Sequence, residues 1–154
     1  MRTRLAVLAV AGALACAGEP ARPREPARPS VEYLPMPGGA SLPFSGAARV
    51  GSMLYLSGQI GNDSTLHLVP GGIGPETRQA MENIRGILAR SGASLDDVIR
   101  CTVMMADMKE WGAMNQVYAG FFPRHRPARS AFGTTGLALG ARVEIECIAQ
   151  VPPA

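Results

Sequence analysis

The sequence predicts an α+β domain in the order ββ-α-β-α-ββ, with two helices covering one face of a sheet. Three observations predict it. Val98 to Met105 and Val143 to Gln150 alternate with period two, the mark of a half-buried strand. Between Pro75 and Ser91, Ala80, Met81, Ile84, Ile87 and Leu88 recur at helical spacing. Two apolar runs flank Gly51-Ser52, which reads as a β-hairpin. The chain has 154 residues, enough for one domain with a real core and not for two.

The N-terminus reads as a targeting segment. Arg2 and Arg4 precede the apolar run Leu5 to Leu14, which is too short to span a bilayer as a helix. Ala13-Leu14-Ala15-Cys16 resembles a bacterial lipobox, in which the cysteine carries the lipid. Residues 1–16 are therefore expected as a signal peptide with a lipid anchor at Cys16. An ordinary signal peptide cut after Ala15 or Ala17 is the second reading. A cytoplasmic protein is the third, if the true start lies elsewhere. Residues 17–30 are a Pro-rich linker in which Glu-Pro-Ala-Arg-Pro occurs at 19–23 and again at 25–29. Such a segment favours extended conformations and cannot bury a core. Residues 31–154 are expected to hold the folded domain.

That domain starts with a short extended stretch from Val31, stopped at Pro35. The hairpin follows, its second run ended by Gly58 and Gly61. Pro75 is expected at the first position of the first helix, where its missing N–H costs nothing. Gly92 is expected as its left-handed stop. In the strand 98–105, Ile99, Cys101, Val103 and Met105 are expected on one side. Asp107 with Glu110 reads as a capping box for a second helix, whose buried stripe is Trp111, Met114, Val117 or Tyr118, and Phe121. These aromatic and Met residues read as core. Pro123 ends that helix. Cys101 and Cys147 are expected as buried free thiols rather than as a disulfide.

On the last strand Val143, Ile145, Cys147 and Ala149 share one face, and Glu144, Glu146, Ile148 and Gln150 the other. Carboxylates beside Ile148 fit neither a dry core nor a freely solvated face, and buried charge needs partners. Arg129, Arg100 and Arg142 are the candidates. The mixed face suggests a subunit interface with a polar pocket in it.

Several chemistries are excluded. The formal charge is +3, but five arginines against two glutamates lie in residues 1–30, and the rest is balanced. No basic patch on the folded part argues for nucleic acid. No C-x-x-C exists and His67 and His125 are the only histidines, so no zinc site is expected. Ser57 lacks a G-x-S-x-G setting, and Gly71-Gly72-Ile73-Gly74 does not continue as a phosphate-binding loop.

Leu54-Tyr55-Leu56-Ser57-Gly58-Gln59-Ile60, the helix from Glu76 to Ile84, and Asn115 to Phe122 (NQVYAGFF) resemble the Rid family (YjgF/YER057c/UK114) of enamine/imine deaminases. Pro127-Ala128-Arg129-Ser130 followed by Val143-Glu144-Ile145-Glu146 is the most specific part. The resemblance covers about residues 32–151. It implies a chorismate-mutase-like (YjgF-like) α+β fold, a homotrimeric barrel with sites in clefts between subunits, and no cofactor or metal. It implies hydrolysis of 2-imino acids and their enamine tautomers to 2-oxo acids and ammonia, of the 2-iminobutanoate/2-iminopropanoate deaminase type. Arg129 matches the arginine that binds the substrate carboxylate, a task suited to a bidentate guanidinium. Glu144 matches the carboxylate that positions water. Ser57 and the Gly58 backbone match the pocket wall, and Asn115 a further polar position. The main-chain carbonyl of Ala131 matches the group that holds the imine nitrogen. Two positions depart from the pattern: Phe44 stands where the best-studied branch has Tyr, and Ala131 where it has Cys. The alternative is a non-catalytic trimer that binds a small carboxylate on the same fold. A ribonuclease or translation inhibitor, a third idea attached to this family, fits neither the balanced charge nor an export signal.

Overall fold

A computed structural model describes residues 29–37 and 42–151. The signal segment, Cys16 and most of the linker lie outside these residues. Seven strands form one sheet: β1 (Val31–Leu34), β2 (Ala47–Val50), β3 (Met53–Leu56), β4 (Gln59–Ile60), β5 (Val98–Met105), β6 (Ala128–Gly133) and β7 (Val143–Gln150). Two helices, α1 (Ile73–Arg90) and α2 (Trp111–Ala119), complete the α+β layout. The strand order is β1-β2-β3-β7-β5-β6, with the short β4 also pairing β7. All pairings are antiparallel except β5 with β6. The expected order therefore holds, with β1 and β4 added.

Strand parity decides what is buried. Leu54, Leu56, Val103, Met105, Val143 and Ile145 point to the helix side and meet Ala80, Met81, Ile84, Ile87 and Leu88 of α1 and Met114 of α2. Full burial of each large aliphatic contributes about 1.5–3 kcal/mol, so this seam holds the helices to the sheet. On the other face Tyr33, Tyr55, Ile99 and Phe132 remain exposed. No helix among the described residues is long and apolar enough to cross a membrane.

Several details differ from the sequence expectation, among them the end of α2, which stops at Ala119 rather than at Pro123. The first helix begins at Ile73, two residues before Pro75. Nothing is lost, because the first four N–H groups of a helix have no partner inside it. In β5 the pairing slips between Val98 and Arg100, which turns Ile99 outward to 45% exposure. An irregularity of this kind breaks period-two parity without leaving a mark in composition. Asp107 does cap, accepting from the Lys109 N–H, but it caps a single 3-10 turn, and Glu110 reaches Arg142 instead of reaching back. Finally, Cys101 and Cys147 are joined as a disulfide. They are direct cross-strand partners on β5 and β7, a register that neither strand alone reveals. Gly92 has φ 70 and stops α1 as expected.

Candidate active site

The residues singled out from the sequence fall into two groups, on opposite faces of the sheet. Arg129 lies on β6 in register with Cys101 of β5, which is in register with Cys147 of β7. Side chains of paired residues share a face, so Arg129 projects to the helix side, where α2 receives it. Its Nη2 donates to Asn115 Oδ1 at 2.7 Å. Its guanidinium carbon is 4.6 Å from the centre of the Tyr118 ring and 5.8 Å from that of Trp111. Both lie within cation–π range. Among the described residues Arg129 makes no ion pair. Ala131 follows on the same strand and side, packed against the core.

Glu144 lies on β7 in register with Met104 of β5 and Ile60 of β4, on the open face. Its side chain runs over Gly58: a Cβ there would overlap Glu144 Oε1 and stand 2.9 Å from Cδ, so the carboxylate would have to move aside. Burial raises the Glu144 pKa above the ordinary range, and the negative charge of Glu146 raises it further. No ion pair to either glutamate exists among the described residues. Of the expected partners, Arg142 is engaged elsewhere: its Nη1 meets Glu110 at 2.7 Å, and its backbone N–H donates to the buried Glu76 carboxylate at 2.8 Å.

Phe44, Ser57 and Gly58 line a depression on this same face with Tyr33, Tyr55 and Glu146. The Ser57 hydroxyl donates to the Ser45 carbonyl at 2.7 Å, and its N–H donates to the Gly46 carbonyl at 3.0 Å. Ser57 thus pins the loop that carries Phe44, and its proton is already committed.

Sequence reasoning missed three residues here. Gln59 is 4% exposed, and its Nε2 donates to the carbonyls of both Ser57 and Gly58 at 3.0 Å. It fixes the bend beneath Glu144. Trp111 and Tyr118 read as core by helical spacing, yet both face Arg129. Their positions relative to Asn115, four before and three after, were the available signal. Among the described residues no group of three or more His, Cys, Asp or Glu is placed to hold a metal ion.

Residues 37–151 match the family model described as endoribonuclease L-PSP. The chain is 42% identical over 112 residues to a mouse protein named 2-iminobutanoate/2-iminopropanoate deaminase, covering 72% of this chain and 83% of that one. A solved yeast structure, YEO7, superposes with a TM-score of 0.76 at 33% identity, covering 80% of this chain and all of that one. TdcF of E. coli, solved with bound serine, superposes at 0.69 with 30% identity, covering 78% and 94%. By the match over most of its length, and by a sheet and helix pair shared with these structures, the chain belongs to the Rid/YjgF (L-PSP) family.

Proposed function

We propose that the chain hydrolyses 2-imino acids and their enamine tautomers to 2-oxo acids and ammonia. Its site forms where the Arg129 edge of one copy meets the Glu144 face of the next in a homotrimer. One observation carries this reading. Arg129 is held by one hydrogen bond and two rings, and among the described residues no carboxylate pairs with it. A bidentate N–H edge is thereby kept for a ligand carboxylate. The placement of Arg129 and Glu144 on opposite faces supports a site completed by a second copy. The exposed Tyr33, Tyr55 and Phe132 of the open face support an interface there.

The chemistry follows from the groups. Arg129 binds the substrate carboxylate, with Asn115 holding its far side. The Ala131 carbonyl accepts from the imine N–H. Glu144, its basicity raised by burial and by Glu146, holds a water and takes its proton as the oxygen adds to C2. The substrate reacts as its iminium, so the C=N electron pair moves to nitrogen and leaves a neutral amine. Glu144 returns its proton to that nitrogen, the C–N bond breaks as ammonia leaves, and the hydroxyl oxygen forms C=O and gives its proton to the Glu144 carboxylate. Positioning supplies much of the rate, because the intrinsic barrier is modest. Ser57 and Gly58 form the wall, and Phe44 closes it without a phenolic hydroxyl.

We assign the protein to an exported location, as a lipoprotein anchored at Cys16. The Cys101–Cys147 disulfide supports export, since such bonds persist in oxidising compartments and are rare in the cytosol. Fractionation of cells expressing the protein with and without Cys16 tests it: a cytosolic intact chain sinks the assignment. The activity is tested by generating a 2-imino acid in situ from an amino acid and following 2-oxo acid or ammonia. No acceleration over buffer, or full activity in Arg129→Ala, overturns it. Carboxylate binding without turnover selects the non-catalytic reading instead.

A further inference from the structure

Trp111, Asn115 and Tyr118 stand at i, i+4 and i+7 of α2, on the face of the helix turned to β6. All three contact one guanidinium. The Tyr118 hydroxyl is buried and has no hydrogen-bond partner among the described residues. Burial pushes its pKa up to about 12, against the opposing pull of Arg129. It therefore stays protonated and neutral beside the cation, and what it offers Arg129 is its ring. Tyr118 is only 5% exposed, and Phe122 packs against it with ring centres 5.0 Å apart, so the ring is itself immobilised.

We propose that Trp111 and Tyr118 form an aromatic clamp that sets the plane of the Arg129 guanidinium, with Asn115 fixing its rotation, so that the remaining N–H edge is aimed at the ligand carboxylate. The proposal deepens the carboxylate-binding part of the reading above and rests on it. Tyr118 is a positioning residue: it acts through Arg129 and touches no reacting atom. A guanidinium on a long side chain otherwise samples many rotamers, and a planar cation is attracted to ring faces. Binding of the carboxylate is therefore strengthened by orientation as well as by charge.

The test is calorimetric binding of 2-oxobutanoate, and of its neutral methyl ester, to the full chain. Tyr118→Phe keeps the ring and removes only the orphan hydroxyl, and is expected to bind 2-oxobutanoate as wild type does. Tyr118→Leu is expected to weaken 2-oxobutanoate about ten-fold while leaving the ester unchanged. In the imine assay the same loss appears in KM with kcat nearly kept. Equal binding by Tyr118→Leu overturns the clamp. So does a loss in Tyr118→Phe as large as in Tyr118→Leu, which would place the effect on the hydroxyl. A parallel loss for the ester marks a merely structural role and also overturns it. Should Tyr118→Leu not fold, the 40%-exposed Trp111 gives the second variant: Trp111→Leu is expected to weaken 2-oxobutanoate about three-fold, and unchanged binding overturns the clamp. Wild type that binds but does not turn over sinks the deamination reading and leaves the clamp standing. Wild type that does not bind 2-oxobutanoate overturns both.

Discussion

The Arg129 edge and the Glu144 face are built in different ways. Around Arg129 the chain supplies a hydrogen bond, two ring faces and a packed helix. Around Glu144 it supplies room, through Gly58, and a second carboxylate, and among the described residues no cation pairs with either. One half is finished within the chain, and the other is left open on a sheet face with exposed aromatic residues. The contrast teaches that the two halves have different dependencies. The Arg129 half is a folding product, whereas the Glu144 half depends on the association proposed above.

Mixing two dead variants breaks or sharpens that contrast most directly. Arg129→Ala and Glu144→Ala are each expected to lose at least about 100-fold in kcat/KM, the scale of a charge-assisted contact removed from a site. Co-refolded in equal amounts, they are expected to recover about a quarter of wild-type activity. One interface in four in a random ring then pairs an intact Arg129 with an intact Glu144. No recovery would place the site within one chain.

Next in size is the disulfide, which joins the strand beside Arg129's own to the strand that carries Glu144. Cys101 and Cys147 are 46 residues apart. Replacing both with Ala is expected to lower stability by about 2–4 kcal/mol, read by denaturant unfolding, with reduction of wild type giving a similar loss. Smaller again is Gly58→Ala. The added Cβ displaces the Glu144 carboxylate, and activity is expected to fall about ten-fold with stability changed by no more than about 0.5 kcal/mol, because that side chain can move aside. The Arg129 half is untouched, so 2-oxobutanoate binding changes less than turnover does.

The smallest effect is that of Glu146→Gln on the pH profile. Glu144 has its pKa raised in the fold, so its neutral form is favoured and its ionised form is the costly one. It contributes a penalty that is absent at low pH and appears as pH rises through the carboxylate range. Water activation needs the ionised form, so activity falls on the acid side at a pH above that of an ordinary glutamate. Removing the Glu146 charge lowers the Glu144 pKa, and the acid limb of kcat/KM is expected to move to lower pH. An unmoved limb would mean that Glu144 does not set it.

Much of the fold was legible because β5, β7 and α1 carry strong periodicity, and Gly51-Ser52 sits between matched strands. The site was legible only by residue identity. Period two tells which residues of one strand share a face, but not which face a neighbouring strand turns to the helices. In β6 the run Ala128 to Gly133 has no apolar parity, so the side taken by Arg129 was hidden until its register with Cys101 was known. The disulfide was hidden for the same reason. Tyr118 and Trp111 were hidden because a residue that holds a cation on its ring and one that fills a core have the same spacing. Ile99 was misplaced because a register slip is a property of two strands together.

In the proposed site, with Arg129 and Glu144 on opposite faces, a ligand that touches both groups is bound by two chains at once, so it enters the assembly equilibrium as a component. By mass action, dilution of the protein weakens the ligand's apparent affinity, and raising the ligand tightens the subunits by the same coupling factor. Chain concentration and substrate concentration then become exchangeable variables, and at low abundance the substrate itself gathers the protein that consumes it.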